Sequence, residues 1–211
     1  MGENYNKNFP PLPNFLTFGH DHYLSLNTSI YILDIIGISL DPGVINIFIK
    51  IKLRWFDDNL KFSGLKDDHH RNAINETVEN TIWIPKLGFK YLKNKEEITY
   101  RSLTMEKKDG PIISMDIDKL YRKKFYEGSK NSIKLTIFQK MEFLCHFKTL
   151  SYEYPFGQDQ CSLDIYYKNH DNLLATFNIK KLGEIECEIQ MLPFKLEHHS
   201  KKVIFILILN R

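Results

Sequence analysis

INIFIKIKLRWF, residues 45–56, is the stretch that decides the fold. Ile45, Ile47, Ile49, Ile51, Leu53 and Trp55 alternate with Asn46, Phe48, Lys50, Lys52, Arg54 and Phe56. A period of two over this length puts the first set on one face of a β-strand and the second set on the other. On a helix the isoleucines would be spread around the axis instead of gathered in a stripe. The register therefore sends the six large apolar residues to a core and leaves Lys50 and Lys52 outside it.

Working outward, Asp41-Pro42-Gly43 is a turn signal, and SIYILDIIGISL at 29–40 is apolar and β-branched, so the two stretches form a hairpin. Further strand material occupies 81–84, 97–103, 112–117, 132–147, 162–167, 175–179, 185–196 and 202–210, separated by Gly, Pro, Asn and Asp clusters. About ten mostly antiparallel strands with hardly any helical periodicity predict an all-β, immunoglobulin-like β-sandwich. One short helix is expected within 67–79. Residues 1–25, with Pro10, Pro11 and Pro13, read as an irregular leader, and 26–211 as the folded domain.

With 211 residues, 43% of them hydrophobic and 26% charged, the chain can bury a core without help from a metal. Its net charge of +3 comes from 29 basic and 26 acidic residues that are scattered along the chain, which gives a nucleic-acid partner no basic stripe to hold. There is no Gly-rich phosphate loop, H-E-x-x-H, C-x-x-C or G-x-S-x-G, so no enzyme, cofactor or metal site is expected. His69-His70 and His198-His199 are read as solvated loop histidines and not as metal ligands, because neighbours on a strand point to opposite faces and cannot both reach one ion without a loop. The N-terminus lacks a signal-peptide pattern, and the longest apolar run, 203–209, is a strand's length, far short of the ~20 residues of a membrane helix. Cys145, Cys161 and Cys187 are most simply one disulfide and one thiol. Cys187 stands between Glu186 and Glu188, a poor setting for a reactive thiolate. Asn27-Thr28-Ser29 and Asn75-Glu76-Thr77 offer Asn27 and Asn75 as candidate glycosylation acceptors.

Five segments carry more specific patterns. Trp55-Phe56-Asp57-Asp58-Asn59-Leu60-Lys61-Phe62 contains W-x-D-x-x-L followed by an aromatic, and Ile82-Trp83-Ile84-Pro85-Lys86-Leu87 contains W-x-P-K. Tyr126-Glu127-Gly128-Ser129-Lys130-Asn131 contains Y-x-G-x-x-N. Residues 145–161 read CHFKTLSYEYPFGQDQC, and 203–211 read VIFILILNR. In this order and spacing they resemble the extracellular ligand-binding domain of Cys-loop, pentameric ligand-gated ion channels, closest in pattern to invertebrate anion-channel-type subunits. The resemblance extends over about residues 26–211, with the family's membrane domain absent from the sequence in hand.

The resemblance implies a Cys145–Cys161 disulfide around 15 residues, with Cys187 left free. A cross-link of that span stabilises by about 3 kcal/mol in the chain-entropy account. Tyr154-Pro155-Phe156 makes a stiff apolar tip that would press on the membrane domain. Asp41, Tyr154, Pro155, Phe156, Asp159 and Arg211 are the implied coupling residues, Asp159 because Gly157 stands where the family carries Asp. The implied ligand site lies between subunits, with Lys50 and Lys52 from one face and Trp83, Lys90, Tyr91, Tyr166, Tyr167 and Lys168 from the other. Lysines where the family places aromatics repel a cationic amine and favour an acidic small molecule. Implied partners are that ligand, the other subunits of a homo- or hetero-pentamer, and the chain's own membrane domain at the extracellular face of the plasma membrane. The alternatives are a soluble, secreted pentameric binding protein without a pore and a degenerate, non-signalling subunit.

Overall fold

In the computed structural model the alternating stretch is a strand, β2 (Val44–Trp55). Ile45, Ile47, Ile49, Ile51, Leu53 and Trp55 are at most 1% exposed, while Lys50 and Lys52 sit half-buried on the opposite face. The structure describes residues 5–11, 24–39, 43–94, 97–115, 122–145, 158–168, 175–182, 194–199 and 202–210.

The other strands are β1 (Leu24–Ser39), β3 (Lys61–Ser63), β4 (Leu87–Phe89), β5 (Glu97–Glu106), β6 (Ile112–Met115), β7 (Arg122–Glu127) and β8 (Ser132–Leu144). They are followed by β9 (Gln158–Tyr167), β10 (Ala175–Leu182), β11 (Phe194–His199) and β12 (Lys202–Asn210). A five-stranded sheet runs in the order β10-β1-β2-β8-β5, a four-stranded sheet in the order β11-β12-β9-β4, and a small sheet in the order β3-β7-β6. Among the described residues every strand pairing is antiparallel except that of β1 with β10. One apolar cluster joins the two larger sheets: Ile49, Trp55, Leu135 and Met141 from the first meet Phe89, Leu163 and Ile165 from the second. The fold is therefore the all-β sandwich that the alternation predicts.

Residues 81–84, expected as a strand, form a turn and an irregular segment. Ile82 and Trp83 are consecutive and both buried, which strand alternation forbids. The Trp83 N–H donates to the Tyr5 hydroxyl at 2.9 Å, and Pro85 has no N–H for a ladder. The expected helix is a single turn, α1 (Glu76–Glu79), whose cap Asn75 accepts from the Val78 N–H at 2.9 Å, preceded by a 3-10 turn at His69–Arg71. β1 begins at Leu24, just inside the segment read as leader. The expected strand residues at 40, 116–117, 146–147 and 185–193 lie outside the described residues, as does most of the leader. Among the described residues no helix is long and apolar enough to cross a membrane.

β2 and β8 span the sandwich from end to end, because Val44 pairs with Leu144 and Trp55 with Ile133. At the Val44 end the Cys145 N–H donates to the Gly43 carbonyl at 2.8 Å. β9 starts at that same end. The Leu144 N–H donates to the Tyr91 carbonyl at 2.7 Å, and Leu92 bridges Phe143, so the chain leaving β4 runs toward Cys145. β9 lies antiparallel to β4, with Phe89 opposite Ile165, and its first residues therefore extend in the same direction. Gln158 pairs with Asn210, which brings the end of β12 there too.

Candidate functional site

Three of the five patterned segments meet at the Trp55 end and do structural work. Trp55 and Trp83 pack edge to face with ring centroids 5.9 Å apart. Asp57 is fully buried, and its two carboxylate oxygens accept from the Tyr5 hydroxyl at 2.7 Å and from the Asn59 N–H at 3.1 Å. Burial pushes the Asp57 carboxyl above the usual range, with the Tyr5 and Asn59 hydrogen bonds opposing it, and burial likewise raises the Tyr5 hydroxyl, which stays a neutral donor. The Asp57 N–H donates to the Gly128 carbonyl at 3.2 Å and the Gly128 N–H to the Leu60 carbonyl at 2.9 Å. A Cβ on Gly128 would fall 2.0 Å from the Asp57 carbonyl oxygen, so only glycine permits this approach. Buried Asn131 accepts from the Lys108 and Asp109 N–H groups at 2.9 and 3.1 Å and donates to the Glu127 carbonyl at 2.9 Å, tying the loop after β5 to the motif.

The other two segments lie at the opposite end. Cys145 is buried and disulfide-bonded. Cys161 and Asp159 enter through their backbones, opposite Leu207 and Leu209 of β12. Asp41, Tyr154, Pro155, Phe156, Cys187 and Arg211 lie outside the described residues. Their described flanks converge, however: Gly43 closes the β1–β2 turn against Cys145, and Gln158 and Asn210 are cross-strand partners.

The candidate ligand residues fall on two separate faces. On the first, Tyr166 lies opposite Gly88 and Tyr167 opposite Leu87, and the Lys168 N–H donates to the Lys86 carbonyl at 2.9 Å. The Tyr166 ring crosses Gly88 so closely that a Cβ there would be 2.6 Å away. Lys90 and Lys168 are exposed, and Tyr91 is 52% exposed in a left-handed conformation (φ 62°) that turns the chain toward Phe143. Trp83 does not join them at the surface: it is 2% exposed and belongs to the core. On the second face, the outer side of the five-stranded sheet, the Lys50 ammonium lies 5.6 Å from the Tyr31 ring and 5.2 Å from the Phe138 ring, and that of Lys52 lies 5.0 Å from Tyr31. Beside them Arg54 donates to Glu106 at 2.8 Å through Nη2. Its Nε is 2.6 Å from the other oxygen but misaligned for a second hydrogen bond, so the pair is a close ion contact with a single hydrogen bond.

Two features go beyond the sequence reading. His69 and His70 lie in a 3-10 turn that stacks their rings at 4.1 Å, and with Asp68 they place three donor atoms within 4.8 Å of one another, whereas His198 and His199, read as loop residues, end β11. Asp68 and His70 are exposed and His69 is half-buried, and the group is flanked in sequence by Lys66 and Arg71, which oppose a cation. The second feature is a groove of about 510 Å³ between β5, β8 and the 79–89 segment, with Gln139 among its lining residues. The only signal for it in the sequence is a polar residue at an inward position of β8, between Ile137 and Met141. Of the two sequons, Asn75 is exposed, although its side-chain oxygen caps α1. Asn27 is half-buried in mid-strand between β2 and β10. Compared with known proteins, the chain matches no family model, and no curated protein matches it.

Proposed function

We propose that this chain is an extracellular ligand-binding domain of the kind carried by neurotransmitter-gated ion channel subunits, one that senses a small acidic ligand between subunits and passes the motion to a pore. The observation that supports it most is the convergence at one end of the sandwich. Disulfide-bonded Cys145, the β1–β2 turn, the start of β9 and the last residues of β12 all lie there. β8 ends in one sheet and β9 begins in the other beside β12, so a Cys145–Cys161 bridge would close the segment between them into a loop. A loop so placed feels any displacement of either sheet and can hand it to a membrane domain that follows Arg211.

A five-fold ring needs a head-to-tail contact in which two different faces of each subunit meet. The Tyr91–Tyr166–Lys168 face and the Lys50–Lys52 face are two such surfaces, and a pocket between them would be cationic on both sides. Calorimetry with glutamate as the probe tests the reading. Replacing Lys50 with Glu is expected to weaken glutamate binding about tenfold or more. Circular dichroism should show the fold intact, since the change forfeits only cation–π contacts of about 0.5–1 kcal/mol each. An unaltered glutamate affinity in the folded variant contradicts the proposed site.

A further inference from the structure

The groove beside β5 and β8 has a chemistry of its own. It lies within one chain and uses neither Lys50 nor Tyr91, although Lys168 belongs both to its lining and to the Tyr91–Tyr166–Lys168 face. We propose that it is a binding site for a small carboxylate with an apolar body, held at its acid end by Gln139 and Arg101.

Gln139 projects into the sandwich from β8, where its register partners are Ile49 on β2 and Ile98 on β5. It is 2% exposed, it lines the groove, and its Nε2 has no hydrogen-bond partner. Buried amide donors are nearly always satisfied, so an orphan at the wall of a cavity is a donor waiting for an acceptor. The walls around it are Ile82, Ile84, Leu87, Phe89, Leu135 and Ile137, which suit a hydrocarbon body. The charged residues of the lining set the sign of the ligand. Lys7, Lys86, Arg101 and Lys168 are cationic, against Glu79 alone, which is hydrogen-bonded to Arg101. Arg101 stands opposite Ile137, which makes it the diagonal neighbour of Gln139 in the ladder, and both line the groove. The Lys7 ammonium donates to the Asn80 carbonyl at 3.0 Å and so draws the N-terminal segment to the rim. A volume of about 510 Å³ is within the range of small-molecule sites.

Octanoate serves as the probe, with octylammonium as its charge-reversed counterpart. In the ¹⁵N-labelled protein, octanoate should shift the Gln139 side-chain amide resonances saturably. Gln139→Leu removes the orphan donor from an apolar wall and so keeps the fold; it should weaken octanoate binding about tenfold. Arg101→Gln should weaken it comparably, and octylammonium should bind at least about tenfold more weakly than octanoate. Lys50→Glu should leave the octanoate affinity read from the Gln139 amide unchanged, so failure of this site is separable from failure of the interface site. The proposal is overturned if the Gln139 amide does not move, if Gln139→Leu binds octanoate like the wild type, or if octylammonium binds equally well.

Discussion

Gly128 is where a single methyl group has the greatest leverage. The oxygens that a Cβ would meet, those of Asp57 and Leu60 at 2.0 and 3.0 Å, are backbone atoms and cannot swing aside as a side chain would. Gly128→Ala is therefore expected to cost at least about 2 kcal/mol, read as a lowered urea midpoint. Tyr5→Phe tests the adjoining network. It removes a donor from buried Asp57 and an acceptor from the Trp83 N–H, and the expected loss is about 1–3 kcal/mol. Glu106 links this scale to pH. Burial works to raise its carboxyl, but Arg54 and Lys134 outweigh burial and hold it below the usual range. Its stabilisation is thus present above the ordinary glutamate value and is lost as the pH falls through the depressed one. Glu106→Gln should flatten the decline of stability with pH on the acid side. A decline as steep as in the wild type would show that Glu106 is not its source.

At the scale of elements, β2 and β8 were legible because one face of each is almost wholly apolar, and alternation is strongly specified wherever one face is buried. Ile49→Ala should cost about 2–5 kcal/mol and Lys52→Ala under about 1 kcal/mol, the contrast that the register demands, measured by denaturant unfolding. β3 and β4 have three residues each, too few to show a period. β7 was not legible because four residues of RKKFYE are charged and its two aromatics, Phe125 and Tyr126, are adjacent, which shows no alternation. The 81–84 segment misled for a physical reason: Ile82-Trp83-Ile84 has strand composition, but both Ile82 and Trp83 turn inward and Tyr5 takes the hydrogen bond that a strand would need. Lys50 and Lys52 could be read as outward-facing from their place in the alternation, whereas their seats over Tyr31 and Phe138 depend on β1 and β8 lying alongside. Apart from Gln139 at an inward position of β8, the sequence carries no mark of the groove, because it is assembled from β5, β8 and the 79–89 segment, which are apart in sequence.

For the whole molecule, the account predicts a division of labour between two ends. The Trp55 end is locked by Asp57, Tyr5, Gly128 and Asn131, while the Cys145 end gathers the described flanks, Cys145 and Gln158, of the segment proposed to transmit a signal. Peptide mapping without reduction should find Cys145 joined to Cys161, and a Cys145–Cys187 peptide would remove the loop on which that transmission depends. The central claim, a subunit built to meet its neighbours head to tail with a ligand pocket between unlike faces, is tested most directly by native mass spectrometry of the purified protein together with cross-linking from Lys50. The account predicts assemblies of five copies in which Lys50 cross-links to the neighbouring subunit's Tyr91–Lys168 face. A two-fold dimer that leaves the Lys50 face open would contradict it.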